Sequence, residues 1–254
     1  MFEIKNIKAG YKDKIIIDNV SFPIGEGELT GLLGLNGAGK TTLLKTLSGL
    51  LKPISGECLV DGMDILSLKE KERAKYISYM PQRQSLVYDI SVIDVVLMGI
   101  TPYLNIFETP SKVHKAQAYD MIKIIGMEEF AYKNFLQLSE GQKQLIIIAR
   151  NLMQNSKIML FDEPNSALDF NNSHMVLLKV KEIIKDNKRG GIITLHDPNL
   201  ALSYCDRIII IHDRKVFADF STCDADKEFL HKTFGKIYGE IDVIEYANGF
   251  VIAR

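Results

Sequence analysis

The beginning of the chain alternates apolar and polar positions in runs that glycine and proline separate. Apolar side chains stand at Phe2, Ile4 and Ile7, and a second run from Ile15 to Phe22 continues the alternation. A period of two is typical of strands with one buried face. The pattern therefore predicts short antiparallel strands in residues 1–30.

A different rhythm follows, in which buried strands alternate with amphipathic helices. The apolar segment Leu29–Leu33 predicts a buried strand, and the leucines of Thr41–Leu51 fall on one face of a predicted helix. The rhythm returns near residue 157, with predicted strands at Lys157–Phe161, Ile192–Leu195 and Ile208–His212 and a predicted helix at Ser173–Lys188, ended by Gly190 and Gly191. Such alternation is typical of an α/β domain.

The middle of the chain is predicted to be helical. Ser91, Ser111 and Ser139 each precede an apolar-periodic segment, and Ser91 with Asp94 and Ser139 with Gln142 have capping-box spacing. We predict a single domain with a core at about 1–83 and 156–225, a helical sub-domain at about 84–155 and a C-terminal β appendage at about 226–254. In the appendage, a hairpin is expected to turn at Asn248-Gly249.

Composition excludes several classes of protein. With 31 basic and 32 acidic residues the net charge is −1, so the basic stripe of a nucleic-acid-binding protein is missing and we predict no nucleic-acid partner. Apolar runs are far shorter than the roughly 20 residues of a membrane span. Cys58, Cys205 and Cys223 form no Cys-x-x-Cys pair, so we expect three reduced thiols in a cytosolic protein.

The segment G-L-N-G-A-G-K-T-T matches the phosphate-binding loop Gly-x-x-x-x-Gly-Lys-[Ser/Thr] between a predicted strand and a predicted helix. Its glycines let backbone N–H groups approach a polyphosphate, and the following helix directs its positive end at the same group. Lys40 is expected to reach the β and γ oxygens, and Thr41 to ligate Mg²⁺. The predicted ATP-binding residues here are Gly34, Asn36, Gly37, Ala38, Gly39, Lys40, Thr41 and Thr42. The loop alone leaves kinases, switch GTPases, helicases and transport ATPases open.

Two carboxylates end the strand K-I-M-L-F-D-E-P. Asp162 is placed to hold magnesium, and Glu163, pointing elsewhere, suits polarisation of a water for attack on the γ-phosphate. The competing interpretation is that Asp-Glu-Pro only marks a strand end and turn.

The segment L-S-E-G-Q has two interpretations as well. Ser139 and Gln142 form a capping box, and the same helix N-terminus, with the Ser139 hydroxyl and the Gly141 amide, offers a second anion site. With the phosphate loop already occupied, this site would be free for the γ-phosphate held by another subunit.

Six segments follow one another along the chain: the phosphate loop, Y-M-P-Q, L-S-E-G-Q, D-E-P, S-A-L-D and T-L-H-D. In this order they resemble the ATP-binding subunits of ABC transporters, and the likeness covers nearly the whole chain. The resemblance implies the ABC ATPase fold: a RecA-like P-loop NTPase core with an antiparallel β sub-domain and a helical sub-domain. It also implies ATP and Mg²⁺ as ligands and a homodimer that forms on ATP binding. Glu140 departs from the family's L-S-G-G-Q form, and we expect it to face away from ATP.

The resemblance assigns further residues. Tyr11 matches the aromatic residue that stacks on adenine, Gln82 the glutamine that touches Mg²⁺ and connects to the helical sub-domain, and His196 the switch histidine at the γ-phosphate. Asp169 matches the aspartate that crosses the dimer interface, where Ser139, Gly141 and Gln142 would act in trans. Glu163, His196 and Gln82 are thus the expected catalytic group, and Thr41, Gln82 and Asp162 the expected magnesium group.

The expected function is ATP hydrolysis in an importer at the cytoplasmic face of the cell membrane, with two permease subunits and, indirectly, a substrate-binding protein. Three segments are similar to importer ATPases of the iron-siderophore, haem and cobalamin group: V-V-L-M-G-I-T-P-Y, T-L-H-D-P-N-L-A and F-G-K-I-Y-G-E-I-D-V. A zinc, manganese or molybdate-type importer is the nearest alternative. A soluble non-transport ABC protein and a non-hydrolysing nucleotide sensor are alternatives of other classes.

Overall fold

The computed structural model describes residues 2–12, 14–82, 89–166, 168–246 and 249–253. Its N-terminal part forms an antiparallel sheet in the order β2-β1-β4-β5, as the alternation predicts. The strands are β1 (Phe2–Tyr11), β2 (Lys14–Ile24), β4 (Ser55–Val60) and β5 (Met63–Asp64). One face of this sheet packs with the phosphate-loop helix in a shared apolar core.

The central sheet has the order β10-β9-β3-β8-β7-β6. Its strands are β3 (Leu29–Leu33), β6 (Ile77–Met80), β7 (Ile158–Asp162), β8 (Gly190–Thr194), β9 (Arg207–His212) and β10 (Lys215–Ser221). All pairings are parallel except β9 with β10, and every residue of β3, β7 and β8 is buried. The carboxyl ends of the parallel strands therefore meet at one edge, where ligands of such sheets bind.

The described helices are α1 (Lys40–Leu47), α2 (Glu70–Arg73), α3 (Val92–Leu97), α4 (Lys112–Ile124), α5 (Glu140–Met153), α6 (Phe170–Asp186), α7 (Pro198–Tyr204) and α8 (Lys227–Tyr238). Helices α3, α4 and α5 pack together in the predicted helical region, and each begins at its predicted serine cap. The boundary predicted at residue 84 lies outside the described residues. Among the helices that are described, none combines the length and the apolar character that a bilayer crossing requires.

Three of the differences from the predicted boundaries have a physical cause in the structure. Helix α1 ends at Leu47, before Gly49 at φ +76°, and α6 begins at Phe170 because the Asp169 side chain accepts from the Asn172 N–H. Gly190 and Gly191, predicted to end that helix, begin β8 instead. A Cβ at Gly190 would lie 2.8 Å from the Phe2 ring. These glycines serve close packing rather than a turn.

The C-terminal segment is not purely β. Residues 227–238 form helix α8, whose Leu230, Phe234 and Ile237 are buried on one face and whose first turn is capped by Asp226. The predicted hairpin follows as β11 (Asp242–Tyr246) and β12 (Gly249–Ala253), with Tyr246 opposite Gly249. The turn residue Asn248 lies outside the described residues. The β-appendage prediction was wrong for residues 227–238, because Leu230, Phe234 and Ile237 have the spacing of one helix face.

The three cysteines are free, as expected. Cys58 and Cys205 are buried and Cys223 is exposed. Burial raises the pKa of the Cys58 thiol to about 12, so this sulfur stays a neutral core group at ordinary pH.

Candidate nucleotide-binding site

The phosphate loop joins the buried strand β3 to helix α1 in a conformation that requires glycine. Gly34, Gly37 and Gly39 have φ values of +148°, +82° and +104°. A Cβ at Gly39 would approach Ile17 Cδ1 to 2.7 Å. The first turn of α1 has no side-chain cap, so its N–H groups remain available to an anion.

We expect unequal effects from alanine at two of these glycines. A Cβ at Gly34 would meet the Ile211 carbonyl oxygen at 2.5 Å, whereas a Cβ at Gly37 finds open space. Gly34→Ala should lower the free energy of unfolding by about 2 to 3 kcal/mol, through backbone displacement at β9. Gly37→Ala should lose about 1 kcal/mol, the cost of the positive φ alone. Urea unfolding checks this, and equal losses would contradict the packing we describe.

Lys40 is buried against its own loop. Its Nζ donates to the Gly34 carbonyl oxygen at 2.7 Å and lies 3.5 Å from that of Leu35. Burial lowers the pKa of the Lys40 ammonium, an effect that Glu163 and Asp162 oppose by their charge. In this structure the Lys40 ammonium donates to backbone carbonyl oxygens. The charged oxygens of a polyphosphate bound in the loop would be stronger acceptors for it.

Asp162 gathers three hydroxyl groups at the end of β7. Its Oδ1 accepts from Thr41 Oγ1 at 3.1 Å and from Thr194 Oγ1 at 2.9 Å, and its Oδ2 accepts from Tyr79 OH at 3.1 Å. Burial, and then the charge of Asp162, raise the pKa of Tyr79, so the phenol remains a donor. This all-oxygen donor set beside the phosphate loop fits Mg²⁺.

Glu163, directly after Asp162, has a left-handed backbone conformation with φ +48°. A hydrogen bond from its N–H to Thr194 Oγ1, 2.7 Å long, holds this strained backbone. The carboxylate turns away from Asp162: Oε2 accepts from Gln82 Nε2 at 2.5 Å, and Oε1 lies 2.5 Å from His196 Nε2. The structure thus brings the three expected catalytic residues into direct contact, although Gln82 contacts Glu163 and is not among the groups around Asp162.

A cavity of about 370 Å³ runs along the loop. Of the predicted residues, Asn36, Gly37, Ala38, Gly39, Lys40, Thr41, Thr42, Tyr11, Glu163 and His196 line it. Tyr11, with about half of its surface exposed, stands at this cavity together with Lys14 and Ile16.

The residues predicted to act in trans lie outside this cavity. Ser139 and Gln142 form the predicted capping box, with the Ser139 hydroxyl accepting from the Gln142 N–H at 3.3 Å and Gln142 Oε1 accepting from the Ser139 N–H at 3.0 Å. Gly141 packs against Asn172, whose side-chain amide donates to Asp169 at 2.8 Å. Within one chain, L-S-E-G-Q and Asp169 therefore adjoin each other rather than the phosphate loop.

Sequence reasoning missed Tyr79, Thr194, Lys14, Ile16 and Asn172. The first two stand at carboxyl ends of strands beside β7, with Asp162 opposite Thr194 in the parallel register. The position of Tyr79 and Thr194 at strand ends can be seen in the sequence. Only the strand order shows that these two ends lie beside Asp162.

The model of one protein family, described as ABC transporter, matches residues 17–166. The chain belongs to the ABC transporter family. A Helicobacter pylori protein named probable iron chelatin transport ATP-binding protein is 37% identical over 223 residues, covering 87% of this chain and 88% of the relative. The petrobactin import ATP-binding protein FpuD of Bacillus anthracis is 35% identical over 216 residues, covering 85% and 79%. The manganese transport system ATP-binding protein MntB of Listeria innocua is 34% identical over 215 residues, covering 84% and 87%.

Solved structures agree with this membership. A metal-chelate type ABC transporter in an inward-facing conformation matches with a TM-score of 0.81 and 26% identity, covering 99% of this chain and 95% of that one. A dimeric ATP-binding cassette in a post-hydrolysis state with ADP and Pi matches with a TM-score of 0.75 and 29% identity, covering 87% and 99%. The predicted ABC ATPase fold with its P-loop NTPase core is confirmed, and this ABC transporter chain is an ATP-binding transport ATPase of the importer type.

Proposed function

We propose that this ABC transporter chain hydrolyses ATP as a homodimer at the cytoplasmic face of a membrane and drives uptake of a metal chelate through two permease subunits. A substrate-binding protein would deliver the cargo. The observation that carries the catalytic part is the contact of Glu163 with both Gln82 and His196 beside the phosphate-loop cavity.

The described contacts suggest how ATP would enter. Tyr11 would stack on adenine, the loop Gly34–Thr42 would bind the phosphates, and Lys40 would exchange the Gly34 carbonyl for phosphate oxygens. Thr41, Gln82 and Asp162 would hold Mg²⁺. Magnesium, when bound, neutralises charge on the β- and γ-phosphate oxygens.

Glu163 would then act as general base on the attacking water, because its carboxylate lines the phosphate-loop cavity beside the position of the γ-phosphate, whereas Asp162 would be engaged with the metal. His196 would leave Glu163 to donate a hydrogen bond to the γ-phosphate. Gln82 would connect this change of hydrogen bonds to the helical sub-domain, because its side-chain amide contacts Glu163.

The dimer would complete each site. Ser139, Gly141 and Gln142 lie at the N-terminus of α5, where Ser139 is exposed and Gly141 is buried against Asn172. Asp169 adjoins them through Asn172. Since these groups lie apart from the loop of their own chain, we assign them to the γ-phosphate bound by the second copy. The dimeric relative supports this arrangement. We retain the division into a core, a helical sub-domain and a C-terminal appendage, now including α8, and assign permease contact to the helical part.

The names of the iron-chelatin and petrobactin relatives support a metal chelate as cargo. A manganese importer is the second candidate, which the Listeria relative supports.

The test is to co-purify the chain with its permease, reconstitute the complex in liposomes and measure Mg-ATP hydrolysis. We expect stimulation by a binding protein loaded with a ferric chelate and none by one loaded with Mn²⁺. Stimulation by Mn²⁺ alone would reverse the cargo assignment, and the absence of ATP hydrolysis in every condition would overturn the proposed function itself.

A further inference from the structure

The C-terminal hairpin is fastened to helix α7 by one side chain. Asn199 Nδ2 donates to the Ile252 carbonyl oxygen at 3.1 Å, and Asn199 Oδ1 accepts from the Ile252 N–H at 2.7 Å. A side-chain amide thus pairs with both backbone groups of one strand residue, as a neighbouring strand would. We call this pair of hydrogen bonds the Asn199 clasp.

The clasp acts on the free edge of the hairpin. Strand β12 pairs with β11 on one side, and Val243 is the partner of Ile252 in that register. Since the N–H and C=O of Ile252 both point to Asn199, they point away from β11. The clasp therefore supplies hydrogen-bond partners on the side of Ile252 that faces away from β11, and it connects the hairpin to α7.

Helix α7 begins at Pro198, two residues after His196. Asp197 caps the helix through the Asn199 N–H at 2.8 Å, and Pro198 occupies the first turn. His196 stands between the end of β8 and this cap, with about half of its side chain exposed. His196 lines the nucleotide cavity, and the chain on its C-terminal side is held by the first turn of α7.

Helix α7 is too short to fix its own position. It has seven residues, of which Ala201 is buried, and an isolated helix of this length is unstable in water. Leu200, Leu202 and Tyr204 pack against the main apolar core. Two polar contacts add to this packing: the Asn199 clasp at the N-terminal turn, and the Tyr204 hydroxyl at the other end, which lies 2.6 Å from His174 Nδ1 on α6. The clasp is the support nearer to His196.

We propose that Asn199 is a positioning residue for His196, which carries the placement of the C-terminal hairpin to the γ-phosphate end of the nucleotide site. The inference rests on the proposed role of His196 in hydrolysis. It gives the C-terminal segment a task in the ATPase cycle: with the clasp closed, His196 lies within reach of Glu163, and with the clasp open, α7 and His196 are free to shift.

The test breaks the clasp from each side. Asn199→Ala removes both hydrogen bonds from the helix, and Ile252→Pro removes the N–H from the strand, where proline is tolerated because that N–H is outside the β11–β12 ladder. Each should lower kcat by about fivefold and change KM for ATP by less than about twofold, since ATP binding does not need His196 in place. The double variant should be no slower than Asn199→Ala, because both substitutions break the same clasp and their effects should not add.

Two control variants and one spectroscopic measurement accompany the test. Ser203→Ala removes a hydrogen bond within α7, from its hydroxyl to the Asn199 carbonyl oxygen, without touching the hairpin, and should keep the parental kcat. Asn199→Gln keeps the amide and should recover part of the loss, which a variant that simply fails to fold would not do. In nucleotide-free protein, the imidazole nitrogen signals of His196 should shift in Asn199→Ala and stay in place in Ser203→Ala.

Parental kcat in Asn199→Ala, losses that multiply in the double variant, or unmoved His196 signals would overturn the inference. If the parental protein itself hydrolyses no ATP, the proposed function fails instead, and the imidazole spectra still decide whether the clasp positions His196.

Discussion

Glu163→Gln should lower ATP hydrolysis by about 100- to 10,000-fold while leaving ATP binding nearly unchanged. The amide keeps the size of the side chain and its reach to Gln82 and His196, which contact the two carboxylate oxygens in the structure. It cannot accept a proton from the attacking water. With binding intact and hydrolysis stopped, the closed dimer should accumulate, which light scattering with and without Mg-ATP measures.

The matched control exchanges a carboxylate for an amide away from the site. Glu182 on α6 pairs with Lys179 at the surface, 2.6 Å away, and Glu182→Gln should hydrolyse ATP at the parental rate. If Glu163→Gln kept more than about a tenth of parental turnover, another group would be the base, since positioned bases contribute at least about 100-fold.

Ser139→Asp should abolish hydrolysis for a different reason. Aspartate is as good a helix N-cap as serine, so α5 keeps its first turn and the fold is preserved. Its charge would face the γ-phosphate of the opposite copy, where repulsion in a water-poor interface should cost about 100-fold or more in turnover. ATP binding by the monomer should survive, and light scattering should find no dimer at saturating Mg-ATP.

Ser139→Asn is the matched variant. It also caps the helix and carries no charge, so it should retain at least about a tenth of parental hydrolysis. Equal loss in both variants would place the defect in the helix cap, and full activity of Ser139→Asp would remove α5 from the nucleotide site.

The phosphate loop and the carboxylate pair could be predicted because each is local. Glycine spacing, Lys40 and Thr41 fix the loop, and an apolar strand ending at Asp162 puts a carboxylate at the sheet edge whatever surrounds it. The serine caps of α3, α4 and α5 were equally local, since a hydroxyl and the N–H three residues on decide them.

What the sequence left open depends on strand order. Tyr79 and Thr194 converge on Asp162 because β6 and β8 both flank β7, a neighbourhood that no local pattern encodes. Gly190 and Gly191 have the local pattern of a helix stop, but the Phe2 ring packs against Gly190 and leaves no room for a Cβ there. Gln82, His196, Asp169 and Tyr11 came from resemblance. The structure places Tyr11 and His196 at the phosphate-loop cavity and Gln82 against Glu163.

The central claim is that one copy's phosphate loop and the other copy's L-S-E-G-Q make one working site. Lys40→Ala should be inactive through lost phosphate contacts, and Ser139→Asp should be inactive through repulsion in trans. Mixed in equal amounts, the two should form heterodimers in which the loop of the Ser139→Asp copy meets the intact α5 of the Lys40→Ala copy.

The decisive measurement is ATP hydrolysis by that mixture against each inactive protein alone. Random pairing makes half of the dimers mixed with one intact site of two, so activity should recover to about a quarter of the parental value. A mixture no more active than its separate components would contradict a site shared between two copies.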